Sequence, residues 1–354
     1  MSELDSAIML PHKDAFQRWL GLAVSVLAVC ASLATLLGFL ASWSFLFEYC
    51  CHFRVQYGCV LAICAMMTVL VRHYWSSLIY ATLALVNMAL VLPLCFATSV
   101  ASFSGYGIEN VRLAILNVEA DNTEYERVIA FLHETNAELV ALVEINREWM
   151  VALEPILGEY PYATGAALDT ENGVLILARY PIIDTEVKSI YGRSAVVAHC
   201  DAHGSPLTII AAHTVPPKTR GMLEDRNRQL AALAETAKLT EGAVLLVGDL
   251  NTSSWSPRFQ DLVHRSQLRD SRIGFGVQST WPVGNCLLRI PIDHCLVSRS
   301  IVVQDRKVGP DVGSDHFPVI IDMSIQDGRL ATQDEENVAG SMQPLATTIG
   351  NSTN

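Results

Sequence analysis

Three long runs without a charged residue dominate the first hundred residues of this chain. No Asp, Glu, Lys or Arg occurs at 19–47, at 55–71 or at 73–108. A helix that crosses a bilayer needs about 20 mostly apolar residues, whereas the apolar core of a cleaved signal peptide has about 7–15. The sequence therefore predicts three transmembrane helices, near 19–41, 55–71 and 78–97. A buried helical hairpin is the alternative, which three successive runs disfavour.

The rest of the chain has the composition of a folded, water-soluble domain and a polar tail. Residues 101–324 contain 28 acidic and 19 basic residues, a net charge of −9. An acidic surface repels the nucleic-acid backbone at long range, which argues against avid nonspecific DNA binding. Residues 325–354 are rich in Asn, Thr, Ser, Gln and acids without periodicity, so we expect them to be disordered. The predicted domains are thus a membrane anchor over 1–100, a folded domain over 101–324 and this tail.

Apolar runs of strand length outnumber helical patterns in the folded domain. Thr123-Glu124-Tyr125-Glu126 has the pattern of a capping box, and Asn136 can end the helix that follows it. Two further helices fit 221–238 and 257–266. This mixture indicates two packed sheets with helices outside. Eight strands are predicted, at 111–116, 138–143, 173–178, 195–200, 207–212, 243–247, 292–297 and 317–323.

Polar side chains follow directly where several of these apolar runs end. Asn117 follows the first strand, Glu144 follows the second, and His213 follows the run at 209–212. A rigid scaffold can direct such residues into one pocket. A carboxylate after five apolar residues is costly to bury unless it is paired or ligates a cation. Taken singly, each of these residues could also be solvated or cap a turn.

The segment Gly248-Asp249-Leu250-Asn251 places an acid and an amide two residues apart. In an extended segment, side chains at i and i+2 point to the same side. Asp249 and Asn251 would then face one pocket, where the carboxylate takes a proton from water and the amide donates to an oxyanion. An Asx turn is the alternative.

Ser314-Asp315-His316 is the most informative single cluster. A hard divalent cation prefers carboxylate oxygens at about 2.0–2.6 Å, which Asp315 can supply, and His316 can then contact a phosphate. An imidazole in that role needs an acid on its other nitrogen to fix its tautomer and charge. Asp293, on a neighbouring predicted strand, can provide that acid. An ordinary polar turn is the alternative.

The densest basic stretch of the chain follows His213. Four basic residues occur within eleven positions, at Lys218, Arg220, Arg226 and Arg228. This stretch favours His213 as a second imidazole that binds a phosphoryl oxygen, with Arg226 as a candidate substrate-binding residue. A solvated loop and helix start explains the same stretch equally well.

These residues together resemble the endonuclease/exonuclease/phosphatase superfamily, which has the DNase I-like fold. The similarity covers about 111–324, and its most specific parts are the Gly-Asp-Leu-Asn element and the final Ser-Asp-His. The leading apolar runs resemble those of a membrane-anchored bacterial branch. The resemblance implies an α+β fold, a four-layer α/β/β/α sandwich preceded by three transmembrane helices, with the site at one edge of the two sheets. It is carried, in chain order, by Asn117, Glu144, His213, Asp249, Asn251, Asp293, Asp315 and His316.

The resemblance also implies a metal centre. Glu144 would be the principal ligand of Mg²⁺, with Mn²⁺ as the alternative ion, and Asn117 and Asp315 would lie nearby. Glu119 stands where some members carry an acid near the metal. Asn122 would line the pocket and contact substrate.

The same resemblance implies the catalytic roles. Asp249 would orient or deprotonate the attacking water, and Asn251 would stabilise the transition state. His316, oriented by Asp293, and His213 would hold phosphoryl oxygens.

Two positions depart from the family pattern and leave the substrate open. Val143 stands where Gln often precedes the metal-binding Glu, and His294 stands where many nucleases have Tyr after the Asp. The sequence also offers no convincing match to the Tyr that some members place against the phosphate.

The sequence thus predicts a multi-pass membrane protein with a Mg²⁺-dependent phosphoesterase that hydrolyses a phosphodiester or phosphomonoester by activated water. Its partners would be the lipid bilayer and a substrate that is a lipid headgroup, a small phosphoester or nucleic acid; no protein partner is inferred. One alternative is a membrane-tethered nuclease, and another is a non-catalytic sensor or binding module on the same fold. A sensor would be expected to lack one or more of Glu144, Asp249, Asp315 and His316, and all four are present. A transporter is disfavoured because the apolar runs carry almost no charge to form a polar pathway.

The distribution of basic residues predicts the orientation of the anchor. Lys13 and Arg18 flank the first apolar run and Arg72 lies in the second connection, whereas the first connection carries only Arg54. Connections rich in Lys and Arg stay in the cytoplasm. This favours a cytoplasmic N-terminus and a catalytic domain on the outer face of the cytoplasmic membrane. A reporter that works only outside the cytoplasm should be active when fused after residue 324 and silent when fused within 72–77, and the reverse pattern would contradict this orientation.

Overall fold

The structure, a computed structural model, describes residues 4–96, 109–167, 170 and 172–326. Of the segment predicted to be disordered, all but residues 325 and 326 lie outside the described residues. The described helices are α1 (Leu4–Leu37), α2 (Phe45–Cys51), α3 (Arg54–Leu70), α4 (Tyr74–Val91), α5 (Tyr125–Thr135), α6 (Arg147–Ala152), α7 (Glu154–Leu157), α8 (Arg220–Leu239) and α9 (Pro257–Ser266). The described strands are β1 (Glu109–Asn117), β2 (Leu139–Ile145), β3 (Tyr162–Ala166), β4 (Gly173–Ala178), β5 (Ile182–Ile190), β6 (Arg193–Ala202), β7 (Ser205–Ala212), β8 (Ala243–Asp249), β9 (Arg269–Asp270), β10 (Asp293–Val297), β11 (Ile301–Val308) and β12 (Val319–Ile325).

The strands form two six-stranded sheets of similar design. The first has the order β11-β12-β1-β2-β4-β3 and the second has the order β5-β6-β7-β8-β10-β9. Each sheet has one parallel pair at its centre, β1 with β2 and β7 with β8, while the other neighbours are antiparallel. The carboxyl ends of each parallel pair therefore lie at the same edge of their sheet.

The two sheets pack face to face and carry helices on their outer faces. Leu113 and Val143 of the first sheet and Ile209 and Val247 of the second share one buried apolar core. Neighbouring residues on the same strands point outward, where the first sheet packs against α5 to α7 and the second against α8 and α9. Burial on both faces explains why the central strands read as uninterrupted apolar runs. The domain is the α/β/β/α sandwich that the sequence predicts.

The strands that the sequence analysis missed share one position. β3, β5, β9 and β11 lie at the four outer edges of the two sheets. β5, for example, is exposed along most of its length, so it lacks the apolar run by which the inner strands were found. Edge strands carry polar residues because they have solvent on one side. The short helices α6 and α7 were missed as well.

One helix start was predicted wrongly and its end was predicted correctly. α5 begins at Tyr125 with Glu124 at its N-cap, so Thr123 lies one residue too early to act as the first residue of a capping box. Asn122 instead accepts a hydrogen bond from the backbone N–H of Glu124 at 2.9 Å. Asn136 ends the helix in the left-handed conformation, a common way for a helix to stop.

The N-terminal helices are apolar and pack together. Gly21–Leu40 and Tyr74–Leu94 are each long and apolar enough to cross a membrane, and α2 with α3 forms a third candidate, bent by 68° at the junction. The buried Arg54 guanidinium donates to the Thr35 carbonyl at 2.9 Å and to Asn87 at 3.4 Å. The one basic residue of the first connection therefore holds helices together rather than lying free in a loop.

Helix α2 is docked on the sandwich domain through buried polar contacts. The carboxylate of Glu48 accepts from the Arg226 guanidinium at 2.8 Å and from the Ser256 hydroxyl at 2.7 Å, and both charged side chains are almost fully buried. The carbonyl of Leu94, after α4, accepts from the backbone N–H of Gly274 and Gly276. The ends of α1 and α4 nearest the sandwich thus contact the same domain.

Replacement of Glu48 by Ala should strongly destabilise the protein. It leaves the Arg226 charge buried without its partner, which costs about 3–5 kcal/mol. Glu224→Ala is the matched control, because Glu224 pairs with Arg220 on the exposed surface of α8 and such pairs contribute about 0–1 kcal/mol. Thermal unfolding of the detergent-solubilised full chain measures both. Equal effects of the two variants would contradict the importance of this buried pair.

Candidate active site

The polar residues of the candidate site meet because of the strand directions. Asn117, Glu144 and Asp249 lie at the carboxyl ends of β1, β2 and β8, and His213 follows β7. β10 runs antiparallel to β8, so its first residue, Asp293, lies opposite Asp249. The Ser314–His316 segment precedes β12, which runs antiparallel to β1, and thus returns to the same edge. One edge of the sandwich gathers all of these groups.

Contacts between the two sheets define the centre of the site. The amide nitrogen of Asn117 lies 2.7 Å from Glu144 Oε1 and 3.2 Å from Asp249 Oδ2. His213 Nε2 lies 3.5 Å from Glu144 Oε1 and 3.8 Å from Asp249 Oδ2. Burial, with the nearby charges of Arg193 and His316, lowers the pKa of His213 to about 3. His213 is therefore a neutral imidazole at neutral pH.

Three residues at this edge have left-handed backbones, which are costly for residues other than glycine. They are Glu119 at φ +60°, Glu144 at +61° and Asn251 at +47°. Glu144 lies in β2 rather than after it, at a bulge in the pairing with β4. Gly173 makes room for this bulge, because a Cβ there would lie 1.8 Å from the Ile145 carbonyl oxygen. The bulge directs the Glu144 side chain toward Asn117.

Asp249 and Asn251 both face the cavity, but not for the reason that the sequence suggested. β8 ends at Asp249, and the backbone of Asn251 is left-handed rather than extended. The N–H of Asn251 donates to Asp249 Oδ1 at 2.8 Å, which is the Asx turn. The Asn251 amide donates to the Thr214 carbonyl at 2.9 Å, which leaves its second amide hydrogen available.

His316 and Asp293 form a buried pair beside Asp249. His316 Nδ1 lies 2.9 Å from Asp293 Oδ2. Burial by itself lowers the pKa of His316, but the charge and hydrogen bond of Asp293, aided by Asp249 and Asp315, outweigh burial and raise that pKa well above its usual value. His316 is therefore an imidazolium at neutral pH, with Nε2 3.7 Å from Asp249 Oδ2.

Asp315 and Glu119 occupy the outer side of the site. Asp315 Oδ2 accepts from the Trp281 indole N–H at 2.7 Å, and the backbone N–H of Asp315 donates to Glu119 at 2.8 Å. These two acids line a cavity of about 630 Å³ together with Glu144 and Asp249. Cavities of this size are typical of small-molecule sites.

The donor groups of this cavity fit a hard divalent cation. Burial raises the pKa of Asp249 and of Glu119, against the lowering effects of the His316 charge on the first and of a backbone hydrogen bond on the second. The protein groups therefore leave these negative charges incompletely compensated, and a bound cation would stabilise their ionised forms. Glu144, His213 and Asp249 offer ligand atoms within 4.8 Å of one another. Oxygen-rich donor sets suit Mg²⁺ and similar ions.

Sequence comparison assigns this combination of fold and site to a family. The sequence model of the Endonuclease/Exonuclease/phosphatase family matches residues 110–316, which include every residue discussed above at this edge. The chain belongs to this family. A sequence comparison with curated proteins finds no significant match.

Solved structures of similar fold cover the sandwich domain. An endonuclease/exonuclease/phosphatase family protein from Bacteroides thetaiotaomicron superposes with a TM-score of 0.56 at 16% identity, covering 63% of this chain and 100% of that one. A humanised TDP2 from D. rerio gives 0.52 at 15% identity, covering 61% and 99%. TDP2 from D. rerio complexed with a single-strand DNA product gives 0.52 at 15% identity, covering 60% and 98%. At identities this low the likeness shows the shared fold alone.

Two of the candidate substrate-binding residues do not reach the cavity. Asn122 is buried, and its side chain donates to the Val118 carbonyl at 3.1 Å and caps the turn before α5. Arg226 is fully buried and spans from Glu48 to the carbonyl of Asn251, to which it donates at 2.9 Å. The prediction of direct substrate contact is wrong for both. Arg226 supports the loop that carries Asn251.

His294, which departs from the family pattern, also supports that loop. Its buried ring contacts the Thr252 carbonyl through Nε2 at 2.7 Å and Arg272 through Nδ1 at 2.7 Å.

Several cavity residues were missed by sequence reasoning. Arg193 starts β6 and lies 3.5 Å from His213 Nδ1, and Trp281 comes from the long segment between β9 and β10. Tyr49, His52 and Phe53 come from the connection between α2 and α3. The unusual polarity of this connection, which carries Glu48 and Arg54 between apolar runs, is the signal that could have identified it.

Replacement of Gly248 by Ala should disable the site. Gly248 has φ +125°, and a Cβ there would lie 2.0 Å from the Ala212 carbonyl oxygen, so the end of β8 would have to move away from β7. A displacement of about 1 Å at Asp249 costs on the order of 10²-fold in rate.

Gly242→Ala is the matched control for this prediction. Gly242 precedes the same strand at φ +86° with open space around it, so only the backbone strain of about 1 kcal/mol is added. Hydrolysis rates of the full chain, with melting curves, distinguish the two variants. A Gly248→Ala protein as active as the control would show that the contact with Ala212 does not position Asp249.

Proposed function

We propose that this protein is a membrane-anchored, divalent-metal-dependent phosphoesterase that hydrolyses a phosphodiester or phosphomonoester with activated water. The observation that carries the proposal is the buried pair of Asp293 and His316 in the same cavity edge as Glu144 and Asp249. A cationic group, a candidate base and a cation-binding set of acids then surround one small space.

The acids of the cavity support a metal site. Glu144, with Asn117 and Asp315 nearby, would hold Mg²⁺ or Mn²⁺. When bound, such an ion supplies positive charge that offsets the charge on the phosphoryl oxygens.

Asp249 is the proposed base. Its Oδ1 is occupied by the N–H of Asn251, which leaves Oδ2 to accept a proton from water. Burial raises the pKa of Asp249, and a carboxylate with a raised pKa is a stronger base at neutral pH.

His316 and Asn251 are the proposed donors to the phosphoryl group. The Asp293 carboxylate fixes the His316 ring and keeps it protonated, so Nε2 can donate to a phosphoryl oxygen. The free amide hydrogen of Asn251 can donate to the charge that develops in the transition state. The neutral ring of His213 can bind a further phosphoryl oxygen.

Contacts of the apolar helices support a three-span anchor. Glu48 and Leu94 both contact the sandwich domain, so the segments after α1 and after α4 lie at the same end of the helices. Three antiparallel crossings produce that arrangement when the bent pair of α2 and α3 counts as one span. The bias in Lys and Arg favours the outer face of the cytoplasmic membrane for this end.

A hydrolysis screen of the full chain tests the proposal. The full chain is required because Glu48, the partner of the buried Arg226, lies in α2. The screen covers single-stranded and duplex DNA, phospholipids, and small phosphodiesters and phosphomonoesters, each with and without Mg²⁺. A tethered nuclease would favour the nucleic acids, whereas a sensor without activity would turn over nothing.

Two substitutions separate the base from the metal ligand. Asp249→Asn retains the size of the side chain but removes the base, so turnover should fall by about 10²–10⁴-fold at every Mg²⁺ concentration. Glu144→Gln weakens a metal ligand, so added Mg²⁺ should restore part of its activity. Rates across a Mg²⁺ titration, with melting curves, test both roles. Wild-type turnover by Asp249→Asn would show that Asp249 is not the base.

A further inference from the structure

The cavity that holds the candidate catalytic residues has a wall that comes from the apolar helices. Tyr49, His52 and Phe53, in the connection between α2 and α3, line the same space of about 630 Å³ as Glu144 and His316. The active-site cavity is therefore completed by the N-terminal part of the chain.

This wall is fixed to the sandwich domain by specific contacts. His52 Nδ1 lies 2.8 Å from the Ser253 hydroxyl, in the loop that follows Asn251. The Tyr49 hydroxyl donates to the Pro217 carbonyl, and the Gln56 amide donates to the Arg289 carbonyl at 2.9 Å. The connection is thus held in place at several points around the cavity.

The same side of the molecule exposes large apolar side chains. Leu287 and Leu288 are 76% and 52% exposed, two residues and one residue before Arg289, whose carbonyl binds Gln56. Trp43, just before α2, is 83% exposed. Tryptophan is enriched at the membrane–water interface, and exposed leucines beside apolar helices suit contact with a lipid surface. The cavity therefore lies at the level where the apolar helices emerge from the bilayer.

The size and lining of the cavity select among substrates. A cavity of about 630 Å³ has room for a phosphoester headgroup, whereas long acyl chains would have to remain outside it. The catalytic side of the cavity is acidic, while Phe53, Pro216, Pro217 and Ile290 supply an apolar side. An amphiphilic molecule matches this division.

We infer that the substrate is a membrane phospholipid, whose headgroup phosphoester enters the catalytic cavity while its acyl chains stay in the bilayer. This inference rests on the proposed function. The phosphoryl group binds between the acids and His316, and the carbon backbone that joins headgroup to acyl chains passes along Tyr49 and Phe53. In the reaction the water oxygen bonds to phosphorus, the P–O bond to one alcohol breaks, and that alcohol takes up a proton. No second reactant is needed.

The test compares a phospholipid with its own deacylated form. The full chain is reconstituted in vesicles of phosphatidylethanolamine and phosphatidylglycerol, and hydrolysis of these lipids is measured beside hydrolysis of glycerophosphoethanolamine and glycerophosphoglycerol. A single-stranded oligonucleotide and bis(p-nitrophenyl) phosphate are run in parallel. We expect kcat/KM for a phospholipid to exceed that for its deacylated form by on the order of 100-fold, because binding of the apolar part adds to the specificity.

A variant of the wall ties this preference to the proposed path. Phe53→Ala should reduce the ratio of the two kcat/KM values by about tenfold, since it removes the apolar surface along which the lipid passes. Leu46→Ala is the control, because Leu46 lies on α2, is 67% exposed and does not line the cavity. Melting curves establish that both variants are folded. Phe53→Leu retains apolar bulk and should keep most of the ratio if the alanine variant proves unstable.

The outcomes separate this inference from the proposed function. Equal or faster hydrolysis of the deacylated diesters or of the oligonucleotide overturns the phospholipid assignment but retains a phosphoesterase. An unchanged ratio in the folded Phe53→Ala variant overturns the path along α2. Failure to hydrolyse any of these compounds, including the nitrophenyl ester, overturns the proposed function itself.

Discussion

The apolar packing of the two sheets is the interaction on which the candidate site depends. Asn117 and Glu144 belong to one sheet, and His213 and Asp249 belong to or follow strands of the other, yet their polar atoms lie 3.2–3.8 Å apart. Such distances hold because residues such as Leu113 and Leu245 are fully buried between the sheets and close-packed interiors resist displacement. A slip of one sheet over the other would separate the acids from the imidazoles.

The site concentrates features that cost stability. Acids cluster at one edge, and Glu119, Glu144 and Asn251 adopt left-handed backbones. The large cores on both faces of the sheets, with the charge of His316 beside Asp249 and Asp293, offset these costs. Strain and uncompensated charge of this kind are typical of functional sites. The binding module without catalysis is a weaker interpretation, because a binding role does not require a buried acid that also holds an imidazolium.

The N-terminal helices and the sandwich domain are structurally interdependent. Arg226 joins Glu48 of α2 to the carbonyl of Asn251, so one buried guanidinium connects the apolar part of the chain to a candidate catalytic loop. Tyr49, His52 and Phe53 contribute directly to the cavity wall. The helices therefore do more than anchor the domain, and a sandwich domain produced without them would lack one wall of its cavity and the partner of a buried charge.

The sequence by itself determined the inner strands, the apolar helices and the acids, amides and imidazoles of the site, because apolar runs and the polar residues that end them are local patterns. Edge strands such as β5 escaped detection, since exposure to solvent removes the apolar run. The extended geometry expected for Asn251, and the substrate contacts expected for Asn122 and Arg226, were wrong. Those outcomes depend on which distant groups a side chain meets, and Arg226 meets Glu48 across 178 positions of chain. Only the tertiary structure decided that the helix connection forms part of the cavity, because nothing in the local pattern of Tyr49–Phe53 encodes its contact with loops two hundred residues away.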